Sequence, residues 1–117
     1  GVIRRNEIAN KYKESFNGKI KFQSLEKGEL NAHHLFIIEI DRRKELYDFL
    51  RNHNILTQIH YIPLHTLPYY KEINYQEANL IHAEEYYNRC ISLPMYPSLT
   101  NTEQQFIISK VLEFIHE

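Results

Sequence analysis

A chain of 117 residues has room for one domain, and 43% hydrophobic with 25% charged residues excludes an intrinsically disordered chain. Fourteen basic residues against fifteen acidic ones leave a net charge of -1, which gives no general pull toward nucleic acid or an anionic membrane. The single cysteine, Cys90, excludes an intramolecular disulfide framework and a multi-cysteine zinc site. Apolar runs are too short to span a bilayer and no signal-peptide pattern opens the chain, so a soluble cytoplasmic domain is expected.

In chain order, Arg4 to Phe16 reads as an amphipathic helix, with Ile8, Ala9, Tyr12 and Phe16 on one stripe and Arg5, Asn6, Lys11 and Lys13 mostly on the other side. Asn17-Gly18 ends it, since both residues tolerate the left-handed backbone of a helix C-terminus. Strands are expected at Ile20 to Phe22 and at His34 to Ile40. In the second, the continuous run Leu35-Phe36-Ile37-Ile38 predicts burial on both faces. Asp41 is the expected cap of a helix over Arg42 to His53, with Leu46, Phe49, Leu50 and His53 at helical spacing and Asn54 in a left-handed turn after it. Ile55 to Tyr61 reads as a further strand. A proline-punctuated loop follows through Tyr70, then a helix over Ala78 to Arg89 and a short extended piece at Ile91-Ser92-Leu93. Thr100 and Glu103 form a capping box before the last helix, whose buried stripe is Ile107, Val111, Phe114 and Ile115. Strands alternating with helices predict a small α/β or α+β domain with one layer of sheet.

Gly1, Gly18 and Gly28 are scattered and form no phosphate-cradling loop. Seven histidines raise the question of a metal, but the spacing argues against one. His33 and His34 are adjacent, and strand neighbours point to opposite faces. His60 and His65 are five apart across a proline rather than at the i, i+4 spacing of a helical zinc motif. Cys90 reads as a buried structural thiol, His53 as a core-edge ring and His116 as solvated. The segment His60-Tyr61-Ile62-Pro63-Leu64-His65 sets three hydrogen-bonding rings beside rigid prolines, as a pre-organised binding surface requires. Packing of Tyr61, Tyr69 and Tyr70 over a sheet edge explains the same composition equally well.

A resemblance separates these readings. Ile59-His60-Tyr61-Ile62-Pro63-Leu64-His65-Thr66-Leu67-Pro68-Tyr69-Tyr70 resembles the signature loop in the small domain of the DegT/StrS family of sugar-nucleotide aminotransferases, which use pyridoxal phosphate. Arg4-Arg5-x-x-Ile8-Ala9-x-x-Tyr12 resembles the family's helix entering that domain, and His34-Leu35-Phe36 its His-Leu-aromatic strand. Ala83-Glu84-x-Tyr86-Tyr87 and Ser92-Leu93-Pro94-Met95-Tyr96-Pro97-x-Leu99-Thr100 resemble its closing segment. Asn54 stands where many relatives carry Gly.

The resemblance implies that residues 1–117 are the C-terminal small domain of a fold-type I transferase whose large, pyridoxal-phosphate-binding domain is absent from this sequence. It implies transfer of an amino group from glutamate to C4 of a UDP-4-keto-6-deoxy sugar, with a homo-oligomer as the working form. In the family the Schiff-base lysine belongs to the large domain. The lysines here (Lys11, Lys13, Lys19, Lys21, Lys27, Lys44, Lys71 and Lys110) read as solvated, so this chain alone is expected to be inactive and to hold no cofactor covalently. His60, Tyr61 and His65, with His34 as a further candidate, are expected to bind the sugar nucleotide; no catalytic or metal residue is assigned. A non-catalytic binding module that kept the fold and lost the large domain is the alternative.

Overall fold

A computed structural model of the chain describes residues 2–25, 35–59 and 88–116. Helix α1 (Val2–Phe16) buries Ile8, Ala9, Tyr12 and Phe16, the stripe expected from their spacing. It ends at Gly18, whose φ of 76° places it in the left-handed region, and the amides of Lys19 and Ile20 both donate to the Phe16 carbonyl.

Strands β1 (Lys21–Leu25), β2 (Leu35–Glu39) and β3 (Cys90–Leu93) form an antiparallel sheet in the order β1-β2-β3. Phe22 pairs with Ile38, and Ile38 with Ile91. Opposed residues share a face, so Phe36, Ile38, Ile91 and Leu93 lie under the helices while Ile37 and Ser92 face the other way. Ile37, Cys90 and Ser92 are also buried, so β2 and β3 are covered on both sides, as the continuous apolar run predicts. The Cys90 thiol is buried, as expected from sequence, and the residue opens β3; Asn88 and Arg89 form a turn before it.

Helix α2 spans Arg43–Asn52 and α3 spans Asn101–Ile115. Leu46 and Leu50 of α2 pack into one core with Ile107, Ile108, Val111 and Phe114 of α3, the α1 stripe and the sheet. Rings stitch the helix pair: Phe49 lies 5.5 Å from Phe114 and 4.8 Å from His53, and the Arg42 guanidinium sits 4.6 Å over Phe114. The capping box of α3 is complete, with Thr100 Oγ1 accepting from the Glu103 amide at 3.0 Å and Glu103 Oε1 from the Thr100 amide at 2.9 Å. Asn54 has φ 66°, the left-handed turn expected after α2.

Two local expectations fail. Asp41 does not cap α2: the N-cap is Arg42, with no side-chain cap bond, and the Arg42–Glu45 ion pair at 3.9 Å bridges the first turn instead. Nor do the described residues after Asn54 form a strand. The Ile55 amide is spent on the Leu50 carbonyl, and only Gln58 pairs with the sheet, through two bonds to Ser92 of 3.1 and 3.0 Å. Tyr61, the end of that expected strand, lies outside the described residues, as do residues 78–87 of the expected third helix and His34, the first residue of the strand expected over His34 to Ile40.

Four hydrogen bonds, made at three α1 residues, fasten the helix to the stretch between β3 and the first turn of α3. Arg4 Nη2 donates to the Leu99 carbonyl and, at 3.2 Å, to Asn101 Oδ1. Gln104 Nε2 donates to the Ile8 carbonyl at 2.8 Å inside the core, and Tyr12 Oη donates to the Pro94 carbonyl at 2.6 Å. The α1 members of this set are four residues apart, so they line one face of the helix.

Candidate functional site

His34, His60, Tyr61 and His65, the four candidates for sugar-nucleotide contact, all lie outside the described residues. Their described chain neighbours show where the two segments join the sheet. Leu35 pairs with Leu25 at the Pro94 end of β3, whereas Ile59 follows the Gln58–Ser92 bridge toward Ile91 on the other flank. These points are offset by about three residues, on the order of 10 Å along a strand. Leu35 and Ile59 thus stand at separate places on the sheet.

A groove of about 710 Å³ lies between the turn after α2, the connection from β3 to α3 and the first turns of α3. Arg5, His53, Leu56, Tyr96, Glu103 and Phe106 contribute to its lining. Sequence spacing assigns Arg5 to the solvated side of α1; the structure instead half-buries it, with Nε shielded from solvent and lacking a hydrogen-bond partner. Sequence reading passed over this groove, although Leu56 and Phe106 gave a signal. Each is a large apolar residue outside the buried stripe of its neighbourhood, and they are 70% and 44% exposed. His53 is half-buried with its ring 6.3 Å from Phe106, and His116 is exposed, both as expected from sequence.

Burial and the Tyr96 hydroxyl push the Tyr12 phenol well above the usual tyrosine range, so Tyr12 serves as a neutral donor to Pro94. Among the described residues no three His, Cys, Asp or Glu side chains converge as a metal site would require, and no helix is long and apolar enough to cross a membrane.

Six lysines are described: Lys11, Lys13, Lys19, Lys21, Lys44 and Lys110. Each is exposed or half-buried, and Lys44 and Lys110 are engaged by Asp48 at 3.3 Å and Glu113 at 3.1 Å. An amine prepared to condense with a cofactor aldehyde needs a desolvated pocket, and none of these six has one. The described residues therefore do not fit covalent attachment of pyridoxal phosphate.

Residues 2–112 match the family model described as the DegT/DnrJ/EryC1/StrS aminotransferase family. The chain is 35% identical to the spore coat polysaccharide biosynthesis protein SpsC of Bacillus subtilis (strain 168), over 96% of this chain and 31% of that protein. Its fold superposes on the crystal structure of a DegT DnrJ EryC1 StrS aminotransferase from Brucella abortus with a TM-score of 0.71 and 29% identity, covering 99% of this chain and 31% of that one. It also superposes on Helicobacter pylori PseC, an aminotransferase involved in the biosynthesis of pseudoaminic acid, with a TM-score of 0.68 and 25% identity, covering 98% and 33%. The chain thus spans about a third of the length of the relatives it matches. A family match over nearly all of the chain, on a fold shared with solved members, establishes that it belongs to the DegT/DnrJ/EryC1/StrS aminotransferase family.

Proposed function

We infer that the chain is the C-terminal small domain of a pyridoxal-phosphate-dependent sugar aminotransferase, and that it closes one side of the substrate cleft formed with a large domain. The observation that carries this reading is the family match over residues 2–112 combined with coverage of only 31% of SpsC. The amino donor proposed is glutamate, and the acceptor is C4 of a UDP-4-keto-6-deoxy sugar. Within the family the His60-Tyr61-Ile62-Pro63-x-His65 wording favours the transaminase that makes UDP-4-amino-4,6-dideoxy-N-acetyl-β-L-altrosamine, and likeness to PseC supports that branch.

The chain's own contribution is binding. His60, Tyr61 and His65 offer rings that donate and accept hydrogen bonds to sugar hydroxyls and phosphate oxygens, and Tyr61 adds a stacking face. His34 is the further candidate. Because the lysine and most cofactor contacts belong to the large domain in this family, the isolated chain is proposed to be inactive.

The test uses His60→Ala, Tyr61→Phe and His65→Ala in an enzyme carrying both domains. Each loses one or two hydrogen bonds worth roughly 0.5–1.5 kcal/mol, more where a phosphate charge is involved. KM for the sugar nucleotide should rise several-fold while KM for glutamate holds. Lower melting temperatures with unchanged kinetic constants in all three variants would assign the rings to packing instead.

A further inference from the structure

Among the described residues five large apolar side chains are exposed, and they gather at one end of the domain. Leu56 in the turn after α2, Tyr96 in the connection from β3 to α3 and Phe106 near the start of α3 all line the 710 Å³ groove. Val2 and Ile3, 63% and 77% exposed, lie in the first turn of α1. That turn stands beside the same connection, because the next residue, Arg4, donates to the Leu99 carbonyl and to Asn101 Oδ1. Single apolar side chains are ordinary on a protein surface, but five around one groove form a patch of the kind that another surface covers.

Charge narrows what that surface is. Arg5 and Glu103 both line the groove, so its cation and its carboxylate balance. A polyanion would need a surplus of positive charge, whereas an apolar protein face of little net charge fits a balanced lining. The walls are also set in advance. Bonds from Arg4 and Tyr12 hold the Leu99 and Pro94 carbonyls, and the Phe106 ring has Lys110 Nζ 5.5 Å from its centroid and the His53 ring at 6.3 Å. A surface ordered beforehand docks with little further loss of conformational freedom. The chain covers 31% of SpsC and 31% of the Brucella abortus aminotransferase, so about two-thirds of such an enzyme lies outside these 117 residues.

We propose that this patch is the surface on which the domain docks against the rest of its own polypeptide, the large domain, with Leu56, Tyr96 and Phe106 buried in the contact. This docking rests on the reading of the chain as the small domain of a longer aminotransferase, and it specifies the face turned toward the large domain. The α2 surface that carries the exposed Lys44–Asp48 pair stays in water.

Hydroxyl-radical footprinting of an enzyme carrying both domains, read by mass spectrometry, tests this with Tyr47 of α2 as the reference. Tyr96 is 46% exposed and Tyr47 half-buried, so in the 117-residue chain Tyr96 should label faster than a ring of the same chemistry. In the two-domain enzyme the order should invert, with Tyr96 labelling several-fold more slowly than Tyr47, and with Leu56 and Phe106 protected alongside it. Leu56→Asp places a charge in the contact and should restore Tyr96 labelling in the two-domain enzyme, while leaving the melting temperature of the 117-residue chain unchanged because the side chain is exposed. Tyr96 still labelling faster than Tyr47 in a two-domain enzyme that transfers amino groups would overturn the docking surface and leave the proposed function standing. A two-domain protein without amino-transfer activity would remove that function, and the docking with it. Tyr96 protection that appears in the 117-residue chain alone and rises with its concentration would overturn the docking by assigning the patch to a second copy.

Discussion

Replacing Tyr12 by Phe removes one oxygen from the centre of the domain and leaves the ring stack with Phe16 and Phe36 in place. Two effects of opposite sign follow. At neutral pH the variant loses the 2.6 Å bond to Pro94, a net contribution of roughly 0.5–1.5 kcal/mol. Pro94 is only half-buried, so water can reach its carbonyl and the larger penalty for an orphaned acceptor does not apply in full. A loss of about 1 kcal/mol corresponds to a melting-temperature drop of roughly 5 °C for a domain of this size. At high pH the sign reverses. Desolvation first, and the Tyr96 hydroxyl second, raise the folded-state pKa of Tyr12 above its unfolded value near 10. Its stabilising contribution is then complete below pH 10 and is lost as pH rises further, because the unfolded chain releases the proton and the folded one holds it. Wild type should lose about 1.4 kcal/mol relative to Tyr12→Phe for each pH unit above 10, so the two curves converge near pH 11. Urea denaturation of both proteins at pH 7, 9, 10 and 11 measures this directly. A gap that stays constant from pH 7 to pH 11 would refute the reasoning, since it would mean that Tyr12 ionises equally in both states.

Asn54→Gly should leave stability within about 0.5 kcal/mol of wild type, the relief of a positive φ offsetting the greater freedom of the unfolded chain, whereas Asn54→Val should cost on the order of 1 kcal/mol. Equal melting temperatures for the two would contradict the left-handed turn. Thr100→Ala removes the side-chain acceptor for the Glu103 amide and should destabilise by about 1 kcal/mol, with Thr100→Ser close to neutral, as read by thermal unfolding. The isolated chain incubated with pyridoxal phosphate should lose its visible absorbance on dialysis; colour retained and fixed on a lysine by borohydride, located by peptide mass, would show attachment that the exposed and half-buried lysines do not favour.

Features written within one turn of backbone were readable from sequence. The Thr100–Glu103 capping box, the Gly18 and Asn54 turns and the α1 stripe each follow from residue types a few positions apart. The start of α2 was harder, because Asp41 and Arg42 offer competing frames and the Arg42–Glu45 pair favours the later one. The stretch after Asn54 reads as a strand by composition, yet pairing needs a free partner edge and free amides, and the Ile55 amide is already taken by Leu50. The groove was invisible for a different reason. Arg5, Leu56 and Phe106 are brought together only by tertiary packing, and no local period links them. As for His34, His60, Tyr61 and His65, ring chemistry alone fits packing and binding equally, and only the resemblance to a family separated the two.

The fastening of α1 has a mechanical meaning. Its bonds reach out from Arg4, Ile8 and Tyr12, so they are spread over about 12 Å of helix axis. One attachment point would act as a pivot and two as a hinge, but three in a row resist both rolling and sliding. To ratchet by one turn, about 5.4 Å, α1 must break all of them together, including the buried one from Gln104. Small displacements of α1 are instead carried over to Pro94 and Leu99, which form part of the groove wall. α1 also lends Arg5 to that groove, so the helix and the Pro94–Leu99 wall belong to one bonded frame.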